Sequence, residues 1–283
     1  MEVHLRDPMD LRAQVSAWLA EDVGRGDRTT QAVIPAGAMG RARIEAREAA
    51  VVAGLDAAVA CFEAAGGCVD VAVVAGDGSS VEAGAAIARL DGSLRSILTG
   101  ERTALNLLAR LSGVATLTAR YVAAVADRPV RIVDTRKTSP GMRALQKYAV
   151  RVGGGSNHRH GLDDGVLLKD NHIAAVGSIT EAVRRARAEV PHGLRIEVEV
   201  MTLEELDEAT SAGADAVLLD NMSVAMTAQA VARAGGKVVL ESSGGITLEN
   251  VADYAAVGVD LISIGALTHS APSIDLALEM EKN

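Results

Sequence analysis

Apolar positions change their period partway along the chain, and that change divides it into two predicted architectures. Leu11, Val15, Trp18 and Leu19 recur at helical spacing behind Asp10, a candidate N-cap, so an amphipathic helix opens the chain. Residues 39–90 carry short β-prone runs around Ile44, Val51, Val71 and Ile87, separated by Gly and Asp turns such as GDGSS at 76–80. This predicts a small sheet with a helix near 55–65. From Leu94 to Ala126 the pattern is helical again, with Gly100 and Gly113 as expected breaks. Beyond Pro129, β-prone runs at 130–134, 165–170, 195–200, 216–220, 238–242 and 261–265 alternate with helical stretches. That alternation is the signature of parallel strands joined by crossover helices. Ser178 with Glu181, and Thr202 with Glu205, have capping-box spacing and mark two helix starts. Six strands favour a seven-stranded or incomplete barrel over eightfold closure.

Composition narrows the function classes. The 283 residues hold one Phe, one Trp and three Tyr, so the core must be aliphatic and base stacking on aromatic platforms is not expected. A net charge of −9 argues against a general nucleic-acid or anionic-membrane surface, and any basic feature must be local. There is no basic leader followed by an apolar run and no stretch of 18 uncharged apolar residues, so a cytoplasmic, soluble protein is expected. Cys61 and Cys68 lack metal or CxxC spacing, and two buried reduced thiols are expected.

Candidate chemistry collects at the ends of the assigned strands. Asp134, Arg136 and Lys137, then Lys169 and Asp170, Glu197 and Glu199, Asp220 and Asn221, Glu241 and Ser242, and Gly265 should converge on one mouth if the strands are parallel. Between Asp134 and His172 there are seven Lys or Arg against four Asp, with histidines at 158, 160 and 172. Such a segment in an acidic chain suits a polyanionic small molecule, with Arg matched to carboxylate and Lys to phosphate. Arg143, Lys147 and Arg151 recur every four residues, which fits either that pocket or a solvated helix face. Glycine turns at 153–155 and 244–245, the latter leading toward a helix near Thr247, and Gly265 with Ala266, can present amides to a phosphate. Glu199 and Asp220, at successive strand ends, could hold Mg²⁺; Glu197 shares the face of Glu199 but lies farther from the mouth. No histidine has zinc-site spacing, and His160 has an equally good structural reading.

These segments resemble the quinolinate phosphoribosyltransferase family over nearly the whole chain. The likeness lies in EDVGRGDRTT from Glu21, ERTALNLL from Glu101, the long run DTRKTSPGMRALQKYAVRVGGGSNHRHGLDDGVLLKDNH from Asp134, EVEV from Glu197, LLDNM from Leu218, ESSGGI from Glu241 and SIGALTHSAP from Ser263. Met142 stands where Leu is common. The resemblance implies an α/β protein: an N-terminal α/β sandwich over 1–113, with the tail 269–283 able to pack against it, and an open TIM-like barrel of about seven strands over 114–268. It implies a homodimer in which Arg102 reaches the partner's site, and Mg²⁺ as cofactor. By motif position, Arg136, Lys137, His158, Arg159 and Lys169 would contact quinolinate; Glu199 and Asp220 would serve ribose and Mg²⁺. Ser243, Gly244, Gly245, Gly265 and Ala266 would bind the phosphate of phosphoribosyl pyrophosphate, with Lys137, Lys169, Glu199 and Asp220 as the catalytic set. The implied reaction yields nicotinate mononucleotide, pyrophosphate and carbon dioxide. Two other readings stay open at this level: a Schiff-base lyase using Lys169 as a desolvated nucleophile, and a binding homologue that has lost activity.

Overall fold

The structure, a computed structural model, describes residues 8–66 and 68–281. In chain order its elements are α1 (Pro8–Val23), α2 (Arg28–Val33), β1 (Met39–Ala46), β2 (Ala50–Val51), α3 (Leu55–Ala64), β3 (Val69–Val73), β4 (Ser80–Val81), β5 (Ala86–Ser93) and α4 (Leu94–Ala124). There follow β6 (Arg131–Val133), α5 (Arg143–Val152), β7 (Val166–Leu168), α6 (Asp170–Val176), α7 (Ile179–Glu189), β8 (Ile196–Val200), α8 (Leu203–Ser211) and β9 (Ala216–Asp220). The chain ends with α9 (Val224–Ala234), β10 (Val239–Ser243), α10 (Val251–Ala256), β11 (Leu261–Ser263), α11 (Ala266–His269) and β12 (Leu276–Met280). Contacts divide these into two compact units: residues 1–119, 139–154 and 270–283, and residues 120–138 with 155–269.

The first unit is built on an antiparallel sheet of order β12-β1-β5-β3. Alternation along β1 buries Ala42, Ile44 and Ala46, and Ile87 and Leu90 of β5 with Phe62 of α3 are equally inaccessible. The C-terminal segment supplies the edge strand β12, pairing Ile44 with Leu278. α1 begins at Pro8, two residues ahead of the predicted cap. Cys61 is buried, but Cys68 is exposed, against expectation, because it leads into β3, an edge strand whose residues stay largely accessible.

α4 corrects the reading of its glycines. It runs unbroken for 31 residues through both of them. At Gly113 an added Cβ would stand 1.8 Å from the carbonyl oxygen of Pro272, and at Gly100 it would stand 3.0 Å from the Phe62 ring. The glycines mark close approach of neighbouring chain, not helix breaks. α5 settles the open reading of its basic residues. Lys147 is only 2% exposed, and residues 145–150 are all buried, so this is no solvated face.

The second unit holds the six predicted strands as one parallel sheet of order β6-β11-β10-β9-β8-β7. Each strand from β7 to β11 pairs with its successor, and β6 pairs with the last, β11, the neighbour pattern of an α/β barrel. The seventh position is represented by a single bridge from Val133 to Ser156 on the free side of β6. Ile196, Val198, Val200, Val217, Leu219, Leu240 and Ile262, all at most 3% exposed, form the apolar face; α7, α8 and α10 pack against the sheet. The helix starts behave as their caps dictate. Thr202 and Glu205 close a full capping box, whereas Ser178 accepts from the Glu181 amide and Glu181 turns its carboxylate to Arg184 and Arg185.

Candidate active site

Strand register sorts the polar residues onto the other face of the second sheet. Glu199 is paired with Leu218, Leu218 with Glu241, and Asp220 with Ser243 and onward to Ser263. Because parallel partners point the same way, Glu197, Glu199, Asp220, Glu241, Ser243 and Ser263 share one face, opposite the aliphatic one. The loops at the C-terminal strand ends supply the cations. Arg136, Lys137, His158, Arg159, Lys169, Glu199, Asp220, Ser243, Gly244, Gly245, Gly265 and Ala266 all belong to this unit, while Arg102 lies in the first, on α4.

At the base of the site a hydrogen-bonded core fixes the segment 157–159. Asp134, fully buried, accepts from the His158 amide (3.0 Å) and from the Asn157 side chain. The His158 ring is held on both sides: Nδ1 accepts the Arg159 peptide N–H at 2.7 Å, and Nε2 lies 3.0 Å from Glu197 Oε2 and 3.7 Å from Glu241 Oε2. Accepting at Nδ1 places the ring hydrogen on Nε2. Glu241 is 1% exposed; burial first, then the charge of Glu197, raise its pKa to about 7, with His158 opposing.

Arg159 brings its guanidinium within the influence of both Glu197 and Arg136. Arg159 donates from Nη1 to the Gly165 carbonyl (2.9 Å); burial and then the like charge of Arg136 lower its pKa, opposed by Glu197 and Asp164. Arg136 Nε is buried with no hydrogen-bond partner. Two neighbouring guanidiniums, one with an orphaned donor, have the charge and open valence that an anion with more than one carboxylate could fill.

Lys169 ends β7 and pairs through Nζ with Glu199 Oε2 at 3.3 Å. At 47% side-chain exposure and ion-paired, it lacks the desolvation that a Schiff-base nucleophile requires. The Lys169 amide donates to His172 Nδ1 (3.0 Å), so the histidine of the KDNH stretch caps α6. In the same way His160 and Gly161 donate their amides to Asp164, a loop-building role for that region.

The glycine turns depart from the predicted form. The helix expected near Thr247 comes slightly later: residues 248–250 form a turn whose last bond runs from the Val251 amide to the Thr247 carbonyl, α10 runs from Val251, and Asn250 ties the loop back to the Thr247 amide and the Gly245 carbonyl. Any phosphate here meets turn amides, not a helix N-terminus. Gly244 and Gly245 are left-handed (φ 91° and 65°), and a Cβ on Gly244 would stand 2.2 Å from Asn221 Oδ1. Asn221 is itself left-handed (φ 53°), donates its amide to Ser243 and its side chain to Asp220 (both 2.9 Å). Beside Gly265, the Thr268 hydroxyl donates to the Lys137 carbonyl (2.8 Å), bringing the 136–138 loop to the last strand end.

Sequence reasoning underrated Glu197 and Glu241 and assigned no role to Asp134 or Asn221. The signal was present: Glu197 sits between Ile196 and Val198 and Glu241 follows Leu240, charged positions inside buried strands, which burial tolerates only when a partner is supplied.

Known proteins match both halves of the chain. The family model described as quinolinate phosphoribosyl transferase, N-terminal domain, matches residues 27–112, and that for the C-terminal domain matches residues 114–279. A probable nicotinate-nucleotide pyrophosphorylase [carboxylating] of Synechocystis is 46% identical over 94% of this chain and 91% of its own length. The nicotinate-nucleotide pyrophosphorylase [carboxylating] of Mycobacterium leprae is 47% identical over 95% of this chain and 96% of its own. The nicotinate-nucleotide pyrophosphorylase structure from Francisella tularensis superposes with a TM-score of 0.94 at 40% identity, covering 99% of this chain and 100% of that one.

Proposed function

The chain belongs to the quinolinate phosphoribosyltransferase family, and from that premise we propose how its strand-end residues divide the work. The enzyme is a carboxylating nicotinate-nucleotide pyrophosphorylase: it joins quinolinate to the phosphoribosyl group of phosphoribosyl pyrophosphate and releases pyrophosphate and carbon dioxide. One observation carries the assignment of its diacid site: the Arg159 guanidinium, whose charge burial and the neighbouring Arg136 disfavour, beside an unpartnered Nε on Arg136. Quinolinate, with two carboxylates, supplies the missing acceptors. Lys169 and His158 border the same pocket, and Arg102 reaches it from a second copy in a homodimer; its side chain is 64% exposed, with only a 4.0 Å approach to Glu101. Ser243, Gly244, Gly245, Gly265 and Ala266 offer turn amides to the 5′-phosphate, and Lys137 lies between diacid and phosphate.

Glu199 and Asp220 suit Mg²⁺, since they share a face on adjacent strands, Asp220 two residues beyond the partner of Glu199. When bound, the ion would neutralise charge on the pyrophosphate oxygens. The protein's own part is placement: the guanidiniums hold the pyridine ring so that its nitrogen lone pair faces C1′ of the ribose, and the carboxylates flank the positive charge that develops there. The nitrogen bonds to C1′ as the C1′–O bond breaks and its electrons leave with pyrophosphate. The ring is then a pyridinium, so the C2–carboxylate bond can release carbon dioxide while its electron pair stays at C2 beside the cationic nitrogen, and C2 takes up a proton.

The decisive assay follows nicotinate mononucleotide and pyrophosphate from quinolinate, with nicotinate as a competing acceptor. Product from quinolinate, with nicotinate a poor substrate, is expected; preference for the monoacid would remove the reason for two guanidiniums.

A further inference from the structure

The hydrogen-bonded core around His158 contains carboxyl groups that the reaction above does not use, and Glu241 is the most deeply buried of those beside the ring nitrogen. We infer that Glu241 is a positioning residue of the quinolinate site, standing as an uncharged carboxylic acid behind His158 and Glu197 and so keeping Arg159 in place beside Arg136. The inference rests on the reading of those two arginines as the diacid receptor.

The hydrogen count leads to it. His158 has its single ring hydrogen on Nε2, because Nδ1 accepts the Arg159 amide at 2.7 Å. That hydrogen goes to Glu197 Oε2 at 3.0 Å, leaving none for Glu241 Oε2 at 3.7 Å. Both oxygens of Glu241 are buried and neither makes a well-formed hydrogen bond, the nearby Ser263 hydroxyl giving its charged form weak support against burial. An ionised Glu241 would then be an unsolvated anion beside another carboxylate, facing Asp134 as well, the costliest arrangement a carboxyl can have. Carrying the proton removes that charge and gives Glu241 a donor. The Glu197 carboxylate lies within 4.8 Å, near enough for two anions to repel each other, with no hydrogen bond between them. The three side chains are close enough to clasp a divalent cation, yet a metal at Nε2 would need the position that already bears the hydrogen.

The chain of contacts then runs to the substrate. A neutral Glu241 spares Glu197 a second anion at its side, Glu197 orients the His158 ring, and the ring holds the Arg159 backbone by its amide; Arg159 is the cation whose neighbour is Arg136. Damage at Glu241 should therefore weaken quinolinate binding selectively, leaving phosphoribosyl pyrophosphate unaffected.

The experiment compares Glu241→Ala with Glu241→Gln in steady-state kinetics for both substrates. Alanine is expected to raise the quinolinate KM about tenfold, the scale of one misplaced charged contact, with the KM for phosphoribosyl pyrophosphate unchanged. Glutamine, a neutral isostere able to donate, is expected to restore most of that loss. Glutamine as harmful as alanine, or equal losses for both substrates, overturns the inference. Should alanine fail to fold, ¹³C NMR of carboxyl-labelled wild-type protein decides: a resonance that is absent from Glu241→Gln must remain protonated at a pH where free glutamate is ionised, and its absence overturns the proposal. Arg136→Ala and Arg159→Ala serve as the control: if neither alters the quinolinate KM, the pocket assignment fails; if both do and Glu241→Ala does not, only the role of Glu241 fails.

Discussion

Arg136 holds a buried donor that the free protein leaves unsatisfied, and an interaction formed only with ligand should show its full value on deletion. Arg136→Ala is expected to lower kcat/KM for quinolinate about tenfold or more, because a charge-assisted contact contributes roughly 1.5–3 kcal/mol; unchanged kinetics would remove the residue from the site. Glu241 makes a prediction about stability. Its pKa in the folded protein is raised from 4.5 to about 7, so the folded state binds the proton more tightly than the unfolded chain does. The stability linked to that proton is fully present below the unfolded value and is lost as pH rises through the folded one. Melting temperatures of the wild type should therefore fall from mildly acid to neutral pH relative to Glu241→Gln, which cannot ionise. Parallel curves for the two proteins would mean that Glu241 titrates normally.

Among the elements, α4 shows how a local signal can be correct about strain and wrong about its remedy. Gly113 reads as a break because glycine weakens a helix interior, yet the helix continues and uses the missing side chain to admit the Pro272 carbonyl. In an exposed helix Gly→Ala would stabilise by about 1 kcal/mol. Here Gly113→Ala is expected to destabilise, since a Cβ 1.8 Å from a backbone oxygen forces the C-terminal segment to shift, an overpacking cost of about 1–3 kcal/mol. Denaturant titration would check the sign; a gain in stability would mean that residues 270–275 yield freely. The strands of the second unit followed the opposite course. Their runs were legible at once because each buries an aliphatic face, and Glu197 and Glu241 were underrated because they sit in those runs while serving the other face.

For the whole molecule, the acidic total of −9 and a cationic cluster at Arg136, Lys137, Arg159 and Lys169 are compatible because the charge is sorted by strand end. Arg102 belongs to the unit that lacks the other site residues, which makes the proposed homodimer testable by mixing. Arg102→Ala and Lys169→Ala homodimers should each be nearly inactive. After exchange of subunits, random assortment returns about one quarter of the wild-type activity if each site takes its Arg102 from the partner, because half of the dimers then carry one intact site. A site completed within one chain would regain nothing. Among the described residues no helix is long and apolar enough to cross a membrane.

What the sequence determined by itself was everything governed by short range. The six parallel strands, the Thr202 box and the clustering of cations between 134 and 172 follow from periodicity, capping chemistry and charge, all carried by residues near one another in the chain. The motif likeness added the reaction. Tertiary structure decided what depends on distant partners: that Gly113 makes room for Pro272, that Cys68 lies on an edge, that Lys147 is buried, and that His158, Glu197 and Glu241 converge from three separate segments. The physical reason is that burial and protonation are set by what surrounds a group in space, and a residue's neighbours along the chain leave that undetermined.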